Sequence, residues 1–124
     1  MLKLVTINIL LSWISLNTNY DTRKFDIKIL LVSKKEIQEK ACGGKCPVIA
    51  FLKKNEGIYI SKMNFEKNLC NQSILLHEMI HFFQDSKMLN AFREKEAYQL
   101  QNKFLEENSN KKLNLRVCRR LQNF

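Results

Sequence analysis

The phrase Ile74-Leu75-Leu76-His77-Glu78-Met79-Ile80-His81-Phe82-Phe83-Gln84 narrows most what this chain can fold into. It is apolar enough to be a core helix, yet it carries both histidines of the chain and a glutamate between them. Helical residues four apart lie on one face, one turn from each other, so the two imidazoles project together. Two imidazoles and a carboxylate are expensive to bury without a compensating partner. A metal ion is such a partner. The imidazoles suit two positions of a tetrahedral site, and Glu78, one residue round the helix, can reach a water at the metal without becoming a ligand. The competing reading is a pair of core histidines satisfied by hydrogen bonds.

A third ligand is needed, and no further histidine exists. The next helical pattern runs from about Ala91 to Glu107 and offers Glu94 and Glu96. Glu96 falls in the row Phe92, Glu96, Leu100, Phe104, an otherwise apolar face that should turn toward the first helix. Glu94 shares its row with Asn90, Tyr98 and Gln101 and reads as rim. A carboxylate on a buried row is anomalous unless something neutralises it. Glu96 is therefore the expected third ligand, against the alternative of a surface carboxylate pairing with Lys95 or Lys103.

His77-Glu78-Met79-Ile80-His81 resembles the His-Glu-x-x-His signature of the zincin metallopeptidases. Lys87 occupies the position where metzincins carry a third histidine, whereas Glu96-Ala97 is similar to the Glu-Ala of the thermolysin-like gluzincins. The Cys-Gly-rich turn, hairpin, histidine helix followed by Gln, and Glu-Ala-Tyr together resemble the small exported minigluzincins. The resemblance implies zinc held by His77, His81 and Glu96, with Glu78 as general base in hydrolysis of a peptide or protein substrate. It also implies an edge strand that holds the substrate, either Val48–Leu52 or Ile58–Ile60. Leu100 stands where the thermolysin pattern has an Asp that orients a histidine. Tyr98, Tyr59 and Arg93 are the candidates for the oxyanion donor, and spacing does not choose among them.

The rest of the pattern sets the frame. Phe25–Val32 reads as a strand, Ser33 as the cap of a short helix Lys34–Ala41, and Gly43-Gly44 as its stop. Pro47–Leu52 and Gly57–Ile60 bracket a polar turn and read as a hairpin. Asn71 or Ser73 is the expected cap of the histidine helix, which should run to about Asp85. The expected fold is α+β: a small, mainly antiparallel sheet packed on the active-site helix and the second ligand-bearing helix. Cys42, Cys46, Cys70 and Cys118 allow three pairings, and the short loop with its two glycines suits a Cys42–Cys46 bridge. That would leave Cys70 and Cys118 to pin the tail. A four-cysteine zinc site or free thiols are the alternatives.

Lys3 is the only charge before Asp21, and Leu4–Leu16 is mostly apolar. Residues 1–20 thus resemble a secretory signal peptide, with 21–124 as one zincin-like domain exported to the periplasm or the medium. The alternative is that the segment is an element of the fold itself. No run of about 20 apolar residues predicts an integral membrane protein. Lys and Arg number 21 against 12 Asp and Glu, a net +9 that permits an anionic surface partner. The basic tail Lys111–Phe124 lacks interleaved aromatics, so no specific nucleic-acid motif is present. Besides the peptidase, a non-enzymatic zinc-stabilised binding module would use the same ligands, but would not need Glu78.

Overall fold

The computed structural model describes residues 2–122; Met1, Asn123 and Phe124, including the end of the basic tail, lie outside the described residues. The elements in order are α1 (Leu4–Asn17), a 3₁₀ turn (Thr22–Lys24), β1 (Ile29–Val32), α2 (Lys34–Cys42), β2 (Ala50–Lys53), β3 (Gly57–Ser61), α3 (Leu69–Phe83), α4 (Asn90–Asn108) and α5 (Leu115–Gln122).

The α+β class holds, but the sheet is mixed where a mainly antiparallel one is expected. Its order is β1-β3-β2, with β2 antiparallel and β1 parallel to β3. The hairpin produces the first pairing. The second arises because the chain leaves β1 through α2 and returns across the sheet, as a parallel pair requires. Gly57 opens β3 with φ 151°, and a Cβ there would lie 2.5 Å from the Lys28 carbonyl oxygen. That close approach lets the Ile58 N–H donate to Lys28 O at 2.8 Å and sets the parallel register. Residues 25–28, expected as strand, have no ladder partner. Phe25 packs edge-on against Phe82 instead, with ring centroids 5.2 Å apart.

Alternation along the strands divides the sheet between two layers. Ile58 and Ile60, with Ile29, Leu31, Ala50 and Leu52, join the core under α3. Tyr59 faces the other way, stacked on Phe51 with Lys40 of α2 over its ring. Ser33 caps α2 by accepting from Glu36 N, and Gly43 ends it in the left-handed conformation, both as the sequence predicts.

α3 starts earlier than expected. Its cap is Asn68, which accepts from Asn71 N, rather than Asn71 or Ser73. It stops at Phe83, short of the expected Asp85, and α4 packs along it. Residues 4–17, read alternatively as signal-like or as part of the fold, form α1. Its Leu10 and Ile14 are fully enclosed in the core, and Trp13 lies edge-on to Phe104 at 5.6 Å. Among the described residues no helix is long and apolar enough to cross a membrane.

Both bridges expected from the cysteine spacing are present, Cys42–Cys46 and Cys70–Cys118. The second ties α5 to the first turn of α3 across 48 residues of chain. In a chain-entropy picture, closing a loop of that length is worth about 4 kcal/mol. The double variant Cys70→Ala/Cys118→Ala is expected to lose about 3–4 kcal/mol of unfolding free energy in urea, with metal content held fixed.

Candidate metal centre

α3 is buried along most of its length, and His77, Glu78 and His81 sit where its C-terminal half meets α4 and the edge strand β2. His77 and Glu78 are buried, and His81 is nearly so. The Nε2 atoms of the two imidazoles face each other at 3.1 Å. The third group of the cluster is Glu94 from the first turns of α4. Its Oε1 lies 2.5 Å from His81 Nε2 and 3.5 Å from His77 Nε2. The three donor atoms lie within 4.8 Å of one another.

The surrounding hydrogen bonds determine the tautomers. Ser73 Oγ gives its proton to Cys70 O at 2.7 Å, so it must accept from Gln101 Nε2 at 3.1 Å. The Gln101 carbonyl oxygen therefore faces His77 Nδ1 at 2.9 Å, and that nitrogen carries the proton. At His81 the argument runs in parallel. Gln84 Nε2 donates to Arg93 O and to Glu96 Oε1, so its Oε1 accepts from His81 Nδ1 at 2.7 Å.

With each Nδ1 proton held by a glutamine carbonyl, both Nε2 atoms face the space that the Glu94 carboxylate also faces, and a neutral imidazole presents its lone pair there. Three acceptors so close repel one another unless a proton or a cation lies among them. Among the described residues no buried side-chain nitrogen or oxygen lacks a partner, so the polar cluster is built rather than left over. Two imidazole nitrogens and one carboxylate oxygen form a donor set that could hold a metal ion.

Electrostatics follow burial. Desolvation, and then the neighbouring His81, push the His77 imidazole below its ordinary value and outweigh the pull of Glu94, which favours its neutral, lone-pair-bearing form. Burial, and then the Glu94 charge, push the Glu78 carboxyl up to about 8, against a backbone hydrogen bond from Leu52 that works the other way. That bond places Glu78 under the edge strand β2.

Glu96, the carboxylate expected at the metal, is elsewhere. Its Oε1 accepts from Gln84 Nε2 at 3.0 Å and from the Tyr20 hydroxyl. Burial, and then this hydrogen bond, hold the Tyr20 phenol above its ordinary value, so Tyr20 keeps the proton it donates. Phe92 is mostly exposed, and the row that α4 buries runs through Ala97, Gln101, Phe104 and Leu105. Glu94 lies on the extension of that row. A face that meets two imidazoles carries their partners, so apolar content misidentified it. Gln101, seven residues and about two turns beyond Glu94, was the available signal.

Of the three oxyanion candidates, Tyr98 packs its ring 4.6 Å from His77. Arg93 and His81 line a cleft of about 720 Å³ together with Ile27, Lys28, Leu52 and Phe82. Tyr59 is turned to the far side of the sheet, where its hydroxyl bonds Glu56 at 2.7 Å.

A family model described as Domain of unknown function (DUF6647) matches residues 3–118. The chain belongs to this family. No curated protein and no solved structure matches it. The span matched to DUF6647 takes in α1, both disulfides and every residue of the cluster described above.

The buried Glu78 makes the metal-free chain sensitive to pH. An unfolded glutamate releases its proton near 4.5, whereas the folded one holds it to about 8. Between these values the native state carries the extra proton, so its contribution to stability is complete below 4.5 and is lost as pH rises toward 8. In chelator, urea unfolding should show the stability of wild type relative to Glu78→Gln falling steadily between pH 5 and 8. A flat difference would place Glu78 in water.

Proposed function

We propose that this DUF6647 domain is a zinc-dependent hydrolase of peptide bonds, with zinc held by His77, His81 and Glu94 and with Glu78 as general base. The observation that carries the reading is the convergence of two Nε2 lone pairs and one carboxylate oxygen, with both Nδ1 protons engaged by glutamine carbonyls. Zinc, when bound, supplies a Lewis acid that brings a water toward ionisation near neutral pH and polarises a carbonyl. Glu78 then has a defined task. With a cation held by the neighbouring ligands, the Glu78 carboxyl would fall from about 8, and Glu78 would accept the proton of the attacking water and deliver it to the leaving amine. A binding module that kept the metal for folding alone would gain nothing from this buried carboxyl.

Arg93 in the cleft wall and Tyr98 against His77 are the side chains best situated to meet the developing oxyanion. The free edge of β2 offers main-chain groups to an extended peptide, and Leu52 of that strand lines the cleft. Two disulfides suit an oxidising compartment and support export to the periplasm or the medium. The net +9 suits an anionic surroundings for the enzyme.

The decisive comparison uses metal content and cleavage of a broad peptide library. Wild type should carry about one zinc per chain, and His77→Ala or His81→Ala should carry none. Glu94→Gln should weaken zinc binding about tenfold or more, while Glu96→Gln stays near wild type. Glu78→Gln should retain zinc and lose cleavage by about a hundredfold or more. Retained zinc with no cleavage in wild type would favour the binding module. Full zinc in His77→Ala would remove the site.

A further inference from the structure

We propose that Tyr20 and Glu96 are positioning residues of the metal site, acting through Gln84 on His81, so that the segment following α1 belongs to the site. The proposal rests on the reading of His81 as a ligand, but its central claim, the tautomer of His81, is independent of metal. Four side chains form one directed chain. Tyr20 Oη donates to Glu96 Oε1, Gln84 Nε2 donates to the same oxygen at 3.0 Å, and His81 Nδ1 donates to Gln84 Oε1 at 2.7 Å. Each step determines the next. The Glu96 carboxylate and the Arg93 carbonyl, which takes a hydrogen bond from Gln84 Nε2 at 2.9 Å, can only accept, so together they hold the amide end of Gln84 and leave the carbonyl end for the imidazole.

The far end of the chain is anchored as well. Tyr20 N donates to Thr18 Oγ1 at 3.1 Å, and Thr18 Oγ1 donates to Ile14 O at 2.7 Å in the last turn of α1. The Tyr20 ring stacks on Phe83 with centroids 5.7 Å apart, so the ring is held independently of its hydroxyl. Among the described residues Glu96 forms no salt bridge, although it is half-buried. Its acceptor capacity is therefore directed at Tyr20 and Gln84 and not at a lysine. The two histidines are treated differently: His77 is held by Gln101 and Ser73 within α3 and α4, whereas only His81 is tied to the N-terminal segment. That asymmetry supplies an internal control.

The test compares Tyr20→Phe, Glu96→Ala, Glu96→Gln and His81→Ala in the full chain. Long-range ¹H–¹⁵N spectra of metal-free protein read the tautomer of each histidine, and chelator competition reads zinc affinity. Outer partners of a metal ligand are commonly worth about tenfold or more in affinity. Glu96→Ala is expected to weaken zinc about tenfold and Tyr20→Phe about threefold, and both should move His81 from pure Nδ1–H toward a mixture. His77 should keep its spectrum in each.

Glu96→Gln keeps an acceptor oxygen for both donors and should lie within about threefold of wild type. Unchanged His81 tautomer and unchanged affinity in both Tyr20→Phe and Glu96→Ala would overturn the proposal. So would Glu96→Gln falling as far as Glu96→Ala, since charge and not geometry would then be at work. Should Glu96→Ala fail to fold, Tyr20→Phe, which keeps the ring in its stack, decides alone. His81→Ala that binds zinc as wild type does would discard the ligand reading, whereas its loss of zinc beside an indifferent Glu96→Ala would discard only the positioning.

Discussion

Two glutamine carbonyls, those of Gln101 and Gln84, hold the Nδ1 protons of His77 and His81, and the rest of the site depends on that restraint. An imidazole free to choose its tautomer could turn either nitrogen toward Glu94. With the protons held away, two lone pairs and a carboxylate must share one small space, and their mutual repulsion favours a cation there. The helices are arranged to make this possible. α4 brings Gln101 and Glu94 to α3 from one side, and the turn after Phe83 folds Gln84 back on His81.

The same restraint explains why the buried side of α4 carries a glutamine, Gln101, among Ala97, Phe104 and Leu105. Helix faces that meet a core are usually apolar, and on that rule Phe92, Glu96, Leu100 and Phe104 form the inward row. Of that row the structure fully buries only Phe104; Ala97, Gln101 and Leu105 complete the buried face, and Phe92 lies open to solvent. Ala97 keeps the helices close, and Gln101 pairs with His77. Local rules of this kind break where a site imposes its own demands, and the break falls at the cluster itself.

Glu78 shows how the small sheet contributes. One residue past His77, it points under β2, where burial keeps its proton and the Leu52 N–H moderates the effect. Because β2 is an edge strand, the same backbone that borders the carboxyl also borders the cleft, with Leu52 in its wall. The mixed topology matters here. Pairing β1 parallel to β3 on the other side leaves β2 as the edge strand beside the site.

The sequence alone accounts for the histidine helix, the placement of Glu78 beside it, the α2 caps, the hairpin and the short Cys42–Cys46 loop, whereas the Cys70–Cys118 bridge, across 48 residues of chain, is drawn only by the fold. The local features follow from spacing within a short stretch, where helix or turn geometry is nearly invariant. The start of β1 at Ile29 and the cap of α3 at Asn68 do not follow from local pattern, because a ladder and a cap depend on what lies opposite. The third member of the cluster was a matter of tertiary structure alone. Glu94 and Glu96 are two residues apart on one helix, about 200° round its axis, and only the docking of α4 on α3 decides which carboxylate meets the imidazoles and which meets Tyr20.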